Sequence, residues 1–433
     1  MFCEVITLQL IRWVRMLYAR GAFHILVSTF ANKFVVFFGT IVVVRLLSRE
    51  DYGLVSYVEN IYGYVLIFAG LGLSNGLLRF IVLAEGALKR AYFRYILRAS
   101  LVRNLVLAGV LLGGNAVAPY PPEFEVAREW VPVMALLLPL QDLVKDGRFG
   151  LRAVFENKTY ANLTMGVSVA LIVGRVAGAY LDGAGGVLWS RVIVNGAFAG
   201  GTVWMAWRAV ERASGERPEP GERLSRGQRR EVDAYSAQYM ITNGLWALFM
   251  LNDTFLLGQL GGGAEELADY RVALVVPGLL ALLSNAIGMF LAPYFTKHEQ
   301  DAAWVWRYWR TALGVTAVLT GIAAGALAFG AEEMVTLFYG EGYRSIVPLM
   351  QVLLFAQFIY SGLGYTTVNI LSAMGQVRAN IRISIAGMVL QAALDVWLIP
   401  LHGAMGVAMA SCLTYTVMCV LVTGVFARRY RRG

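Results

Sequence analysis

VPVMALLLPLQ at residues 131–141 and VPLMQVLLFAQ at residues 347–357 are two versions of one apolar segment, 216 positions apart. Two further matches follow in the same order: Ala161, Asn162 and Leu163 against Ala379, Asn380 and Ile381, then GAGGV from Gly183 against GAMGV from Gly403. The spacing drifts only from 216 to 220. Any one of these is a chance-level match, but three in order at nearly constant spacing mark an internal duplication.

The sequence around these segments is 58% hydrophobic and 15% charged over 433 residues, against roughly 45–50% and about 25% in an ordinary soluble domain. The apolar residues come in blocks of about twenty, each long enough to cross a hydrocarbon core roughly 30 Å thick as a helix. Spans are predicted near 23–44, 58–83, 96–118, 130–147, 160–181, 184–207, 234–260, 270–292, 305–329, 346–370, 378–399 and 403–427. The fourth is the weakest, because Asp142, Lys145 and Asp146 crowd its end; the repeat supports it. The chain reads as an all-α integral membrane protein of about twelve transmembrane helices. Six spans per copy is an even number, so the copies are parallel repeats, two six-helix bundles around a central cleft that suits alternating access. ERASGERPEPGERLSRGQRREVD at 211–233, nearly balanced in charge and without apolar periodicity, reads as a solvated cytoplasmic linker between bundles 1–210 and 234–433.

Lys and Arg separate sharply between alternate loops. One side has Arg12, Arg15, Arg20, Lys89, Arg90, Arg94, Arg98, Lys145, Arg148, Arg152, Lys158, seven arginines between Arg208 and Arg230, Lys297, Arg307, Arg310, Arg378, Arg382, Arg428, Arg429, Arg431 and Arg432, 27 in all. The other side has Arg45, Arg49, Arg128, Arg271 and Arg344, a total of 5. The positive-inside rule then places both termini in the cytoplasm. It also accounts for the net charge of +9, so no nucleic-acid partner is needed to explain it. The stretch MFCEVITLQLIRWVRMLYARGAFHIL at 1–26 interleaves apolar residues with arginines and has no signal-peptide pattern; an amphipathic helix on the inner membrane surface is expected. Cys3, Cys412 and Cys419 suggest no disulfide framework, and His24, His298 and His402 are scattered, so neither a structural nor a catalytic zinc site is expected.

Charge inside the spans carries the most information, since a central Lys or Arg costs about 2.5–3.5 kcal/mol on insertion scales. Lys33 falls near the middle of the first span, where a water-filled interior suits it better than lipid. Arg175 and Arg191 fall about two turns below the outer surface in the fifth and sixth spans, while Arg79 and Arg103 lie nearer the cytoplasmic ends, within snorkelling reach. The second half presents acids: Asp253 and Asp395 at nearly equal depth, with Gln391 one turn from Asp395 on the same face and Ser411 and Thr414 near that level. These oxygens could hold a hard cation or carry a proton; alternatively Asp395 pairs with a first-half arginine as a closed-state latch. A basic first half and an acidic second half imply divided labour, an anion on one lobe and a coupling ion on the other. GLGLSNG at 70–76 has no lysine and no preceding strand, so it reads as a site of close packing or bending and not as a phosphate loop. Pro277 and Pro348 are candidate kinks. No nucleophile, triad or metal signature for catalysis is present.

VRLLSREDYGLVSYVENIYGYVLIFAGLGLSNGLLRFI at 44–81, LNDTFLLGQLGGGAEELADYRVAL at 251–274 and LFYGEGYRSIVPLM at 337–350 resemble the Wzx-type polysaccharide flippases of the multidrug/oligosaccharidyl-lipid/polysaccharide exporter superfamily. The resemblance rests on the Arg45-Leu46-Leu47 step, Asp51-Tyr52-Gly53, the turn at 70–72 and the following Arg79, and it runs over nearly the whole chain. It implies a MATE-like fold in the cytoplasmic membrane and a role in cell-envelope polysaccharide biosynthesis. The implied cargo is an undecaprenyl- or dolichyl-diphosphate-linked oligosaccharide, moved by Na+ or H+ coupling without an organic cofactor. Membrane lipids, and a polysaccharide polymerase or glycosyltransferases, are the implied partners. A cationic cavity would then use Lys33, Arg79, Arg175 and Arg191 for the pyrophosphate. Asp253, Gln391, Asp395 and Thr414 would take the coupling cation, by likeness in helix and depth to lipid II flippases. Two other functions compete. A drug or metabolite antiporter of the same fold should favour acidic cavity residues, and a membrane-embedded glycosyl- or acyltransferase should show a catalytic acid or His in a substantial outer loop.

Overall fold

The structure, a computed structural model, describes residues 22–215 and 223–430. The expected amino-terminal surface helix with Arg12, Arg15, Arg20 and Cys3 lies outside the described residues, as do 216–222 of the expected linker and the last two arginines. Every regular element among the described residues is helical. The α-helices of nine residues or more, in chain order, are α1 (Ala22–Leu46), α2 (Arg49–Ile67), α3 (Leu88–Val117), α4 (Ala127–Ala153), α5 (Asn157–Ser214), α6 (Arg226–Leu260), α7 (Ala264–Ala273) and α8 (Pro277–Lys297). They are followed by α9 (Ala302–Phe329), α10 (Ala331–Tyr339), α11 (Val347–Phe358), α12 (Tyr365–Ala373) and α13 (Val377–Tyr430).

Seven described segments are long and apolar enough to cross a membrane: Arg49–Ile81, Leu88–Val117, Asn157–Ser214, Ala264–Lys297, Ala302–Phe329, Glu341–Ala373 and Val377–Tyr430. The 58 residues of α5 and 54 of α13 would each extend roughly 80–90 Å if straight, far beyond one bilayer core. Both are broken. Gly183 in α5 has φ 55 and ψ −131, and Gly403 in α13 has φ 56 and ψ −134. The same unusual conformation recurs at the two glycines that the sequence pairs at a spacing of 220. A backbone with positive φ is open to glycine at little cost, which is why this residue type marks both bends. Next to the first bend, Gly178 and Gly186 bring backbone against backbone, with no room for a Cβ on either, the small-residue packing that membrane helices use.

The burial pattern is that of a protein whose solvent is lipid. On α3, Ser100 and Asn104 are each 1% exposed, whereas Val106 and Val110 are 63% and 64% exposed. A water-soluble helix would reverse that arrangement. In hydrocarbon the valines lose nothing by facing out, while an unpaired amide or hydroxyl would be costly, so polar groups turn inward to find partners.

Two compact units are formed, one from residues up to 47, 61–120 and 125–247, the other from 48–60, 121–124 and 248 onward. The first is centred on Leu73, Leu77, Ile81, Phe93, Ile96, Val144, Ala206 and Val210. In the second, Trp309 stacks on Phe426 at 4.6 Å between ring centres and donates its indole N–H to Thr367 Oγ1 at 3.0 Å.

Several local expectations are refined. The 211–233 stretch is not wholly irregular, because α5 runs to Ser214 and α6 starts at Arg226. Ser225 and Gln228 form a reciprocal cap: Gln228 N–H donates to Ser225 Oγ at 3.2 Å and Ser225 N–H to Gln228 Oε1 at 2.9 Å. Val232 is fully buried, so this start is anchored by packing as well. Pro277 and Pro348 occupy the first turns of α8 and α11 and start helices where no amide hydrogen is needed; they are not mid-helix kinks. The 70–76 segment does bend the chain: Gly70, Leu71 and Gly72 have φ of 54, 50 and 77, followed by a π-helical turn at Leu77–Ile81.

Candidate functional site

In the second unit, three helices deliver oxygen to one buried place. α13 carries Gln391, Asp395, Ser411 and Thr414, which are 1%, 0%, 3% and 0% exposed. The bend at Gly403 is what brings the first pair alongside the second, since a straight helix would hold Gln391 and Ser411 about 30 Å apart. Instead Gln391 Nε2 donates to Ser411 Oγ at 3.3 Å and to Asp395 Oδ1 at 3.1 Å. Asp253, from α6, lies beside Asp395, and Tyr270 of α7 donates its phenol to Asp253 Oδ2 at 3.3 Å.

The unused atoms are the informative ones. Asp253 Oδ1, Asp395 Oδ2, Gln391 Oε1 and Thr414 Oγ1 are all buried and all without a hydrogen-bond partner. Buried polar groups normally find partners, and the three orphan oxygens of Gln391 and the adjoining Asp253 and Asp395, two of them from carboxylates, form a donor set suited to a hard cation, with Thr414 one turn along α13 from Ser411. Glu266 secures the bend at Gly403, accepting from the backbone N–H groups of Gly262 and, at 2.7 Å, Ala404.

The basic residues of the first unit do not gather in the same way. Lys33 is exposed on α1, as are its neighbours Phe34, Val36 and Phe38; it is not locked in a buried pair within its unit. Arg79 is exposed, and its guanidinium lies 5.0 Å from the centre of the Tyr235 ring. Arg175 is half-buried in α5. Arg191, also half-buried, lies 5.3 Å from the Tyr62 ring centre and donates to Gln141 Oε1 at 3.4 Å, which also accepts from Tyr62 Oη at 3.2 Å. Arg103 is held by Asp233 at 2.8 Å, a partner that the snorkelling expectation did not include.

The division into a basic first half and an acidic second half is incomplete, because Asp142 and Asp146 of α4 are buried inside the first unit. Sequence reasoning took these two acids as a weakness in the fourth span, set Tyr62 aside as too isolated at the head of the second span, and assigned no role to Tyr270 or Gln141. The signal for the acids was their spacing of four, which puts both on one helix face.

A profile of the family described as polysaccharide biosynthesis protein matches residues 42–348, which is 307 of the 433 positions. The chain belongs to that family. No curated protein has a significant sequence match to it. Among solved structures, this polysaccharide biosynthesis protein is similar to a lipid II flippase in an inward closed conformation, at 11% identity over 92% of this chain and 86% of that one, TM-score 0.72. It is also similar to an inward-facing multidrug resistance transporter of the MATE family and MOP superfamily, at 13% identity over 93% and 95%, TM-score 0.68. A third likeness is to a MOP superfamily transporter from Pyrococcus furiosus, at 13% identity over 95% of each chain, TM-score 0.55. The fold of this polysaccharide biosynthesis protein is therefore MATE-like, in a multi-pass membrane chain.

Proposed function

We propose that this protein is a flippase that carries a lipid-diphosphate-linked oligosaccharide across the cytoplasmic membrane by ion-coupled alternating access through about twelve spans. The observation that carries this reading is the polysaccharide biosynthesis family match over 42–348 in a chain whose fold is that of membrane transporters. A pyrophosphate head group cannot cross hydrocarbon unaided. Lys33, Arg79, Arg175 and Arg191 would offset its lost hydration, while the lipid tail stays in the bilayer. Export of an anion also gains about 2.3 kcal/mol per charge per 100 mV from an inside-negative potential. The coupling ion, Na+ or H+, would be held by the orphan oxygens of Asp253, Gln391, Asp395 and Thr414.

A cation antiporter is the second reading, favoured by the same two buried aspartates, since acids also suit cationic cargo. Binding to the purified protein separates the two. A flippase should bind a lipid-diphosphate sugar in preference to cationic dyes, and more weakly as salt is raised. Lys33→Gln or Arg191→Gln should weaken that binding by roughly tenfold, the worth of one charged hydrogen bond. Tight dye binding that is lost with Asp253→Asn, with no sugar binding, would favour the antiporter.

A further inference from the structure

Asp142 and Asp146 take no part in the sites described so far, yet both are sealed from solvent, at 4% and 0% exposure. Asp142 is well supplied with partners. Ser100 Oγ and, at 2.6 Å, Asn104 Nδ2 donate to its Oδ2, and Ser74 Oγ donates to Oδ1 at 3.4 Å. Lys145 Nζ stands 3.9 Å from Oδ1. Such contacts suit a carboxylate that carries its charge.

Asp146 lies within reach of Asp142, Ser74 and Ser100, but each serine has one hydroxyl proton and donates it to Asp142, which leaves neither Asp146 oxygen with a donor of its own. A carboxylate with no donor, buried against another carboxylate, is not a stable arrangement by itself. Lys145 balances one negative charge of the pair. Tyr62, which also faces Asp142, donates its phenol proton to Gln141 and brings no positive charge. Arg191, beside Tyr62 and Gln141, is the second cation of this neighbourhood, but neither it nor Lys145 reaches Asp146, whose two oxygens stay without a donor; that empty hydrogen-bonding capacity marks the place for a bound cation.

We propose that Asp142 and Asp146 hold one monovalent cation between them, H+ or Na+, with the remaining lone pairs of Ser74 and Ser100 completing its oxygen surroundings. This is an ion site of the first unit, separate from that of Asp253 and Asp395, and it does not depend on the nature of the cargo. Its position gives it a mechanical output. Asn104 donates to Asp142 with one end of its amide and accepts from Gly70 N–H at 2.8 Å with the other. Gly70 begins the left-handed run that breaks the chain after α2, and a Cβ there would press on Asp142 Oδ2 and Ser100 Oγ, at 2.8 and 2.9 Å. When the ion leaves, two adjacent negative charges repel, and Asn104 passes that change directly to the break. Interrupted membrane helices serve ion sites in this way because their freed backbone groups respond to charge.

The test uses the full chain in nanodiscs with Asp253→Asn and Asp395→Asn, so that the other buried acid pair is silent. Two readouts are taken: radioactive sodium bound per chain, and the infrared carbonyl band of a buried protonated carboxyl as pH is stepped. A sodium site predicts about one Na+ per chain, and a proton site predicts the carboxyl band without sodium binding; adding Asp146→Asn abolishes whichever is seen. Either result supports the proposal. Absence of both signals, or a signal unchanged by Asp146→Asn and by Asp142→Asn, overturns it. Should the combined variants fail to fold, Asp146→Asn alone against the natural chain gives the same decision, as the loss or retention of one sodium equivalent or one carboxyl band.

Discussion

Gly403 sits in the left-handed region with φ 56, and a Cβ on it would overlap Glu266 Oε1. Replacing it therefore combines backbone strain with displacement of the carboxylate that accepts from Ala404 N–H. Gly403→Ala is expected to destabilise the protein by at least about 1–3 kcal/mol, the usual cost of a strained residue, read as a fall in the thermal-unfolding midpoint in detergent. Glu266→Gln keeps an acceptor oxygen and should cost less than Glu266→Ala, which leaves two N–H groups without a partner. An unchanged midpoint for Gly403→Ala would contradict the claim that this bend sets the geometry around Asp395. Residue spacing was a good guide at one site and was overruled by hydropathy at another. Gln391 and Asp395 were read as neighbours on one face, and they are hydrogen-bonded at 3.1 Å. Asp142 and Asp146 have the same spacing, but hydropathy counted them against the span, because it sums polarity without knowing that Ser74, Ser100 and Asn104 wait on neighbouring segments.

Elements were legible where a whole block of apolar residues marked them, and less so at their ends. α4 is a full helix that runs on past the three charges at the end of the expected span, since Asp142 and Asp146 turn inward. The start of α6 was obscured by the density of charge around it, although Ser225-x-x-Gln228 is a capping box in the sequence. The loop between α5 and α6, with seven of the 27 basic residues that stand against 5 on the alternate side, is expected to be cytoplasmic. Three of the five on the sparse side, Arg49, Arg128 and Arg344, are ion-paired with acids, which further reduces the positive charge that would oppose that orientation. A cysteine placed at Ser225 is expected to resist an impermeant reagent in intact cells and to react after lysis; labelling from outside would reverse the topology.

At the scale of the whole molecule, the repeat and the composition carried most of what could be known in advance. They indicated an all-helical membrane chain, and the same backbone conformation recurs at Gly183 and Gly403, the two glycines aligned by the repeat read from VPVMALLLPLQ and GAGGV. The separate spans at 378–399 and 403–427 already implied that the chain turns back near Gly403; what they could not supply was the contact of Gln391 with Ser411 across twenty residues, because a linear reading orders residues by depth but does not pair them. The proposed function couples the movement of lipid-linked sugar to an ion at Asp395 and Asp253. Its most direct test is flipping of a lipid-diphosphate oligosaccharide in proteoliposomes, with sodium and proton gradients imposed separately on the natural chain and on Asp395→Asn. The natural chain is predicted to flip the lipid faster under one of the two gradients. Asp395→Asn should still bind the lipid-linked sugar but lose that dependence. No flipping by the natural chain, or an Asp395→Asn protein that responds to the same gradient with unchanged magnitude, would contradict the account, the latter favouring a gating ion pair at Asp395.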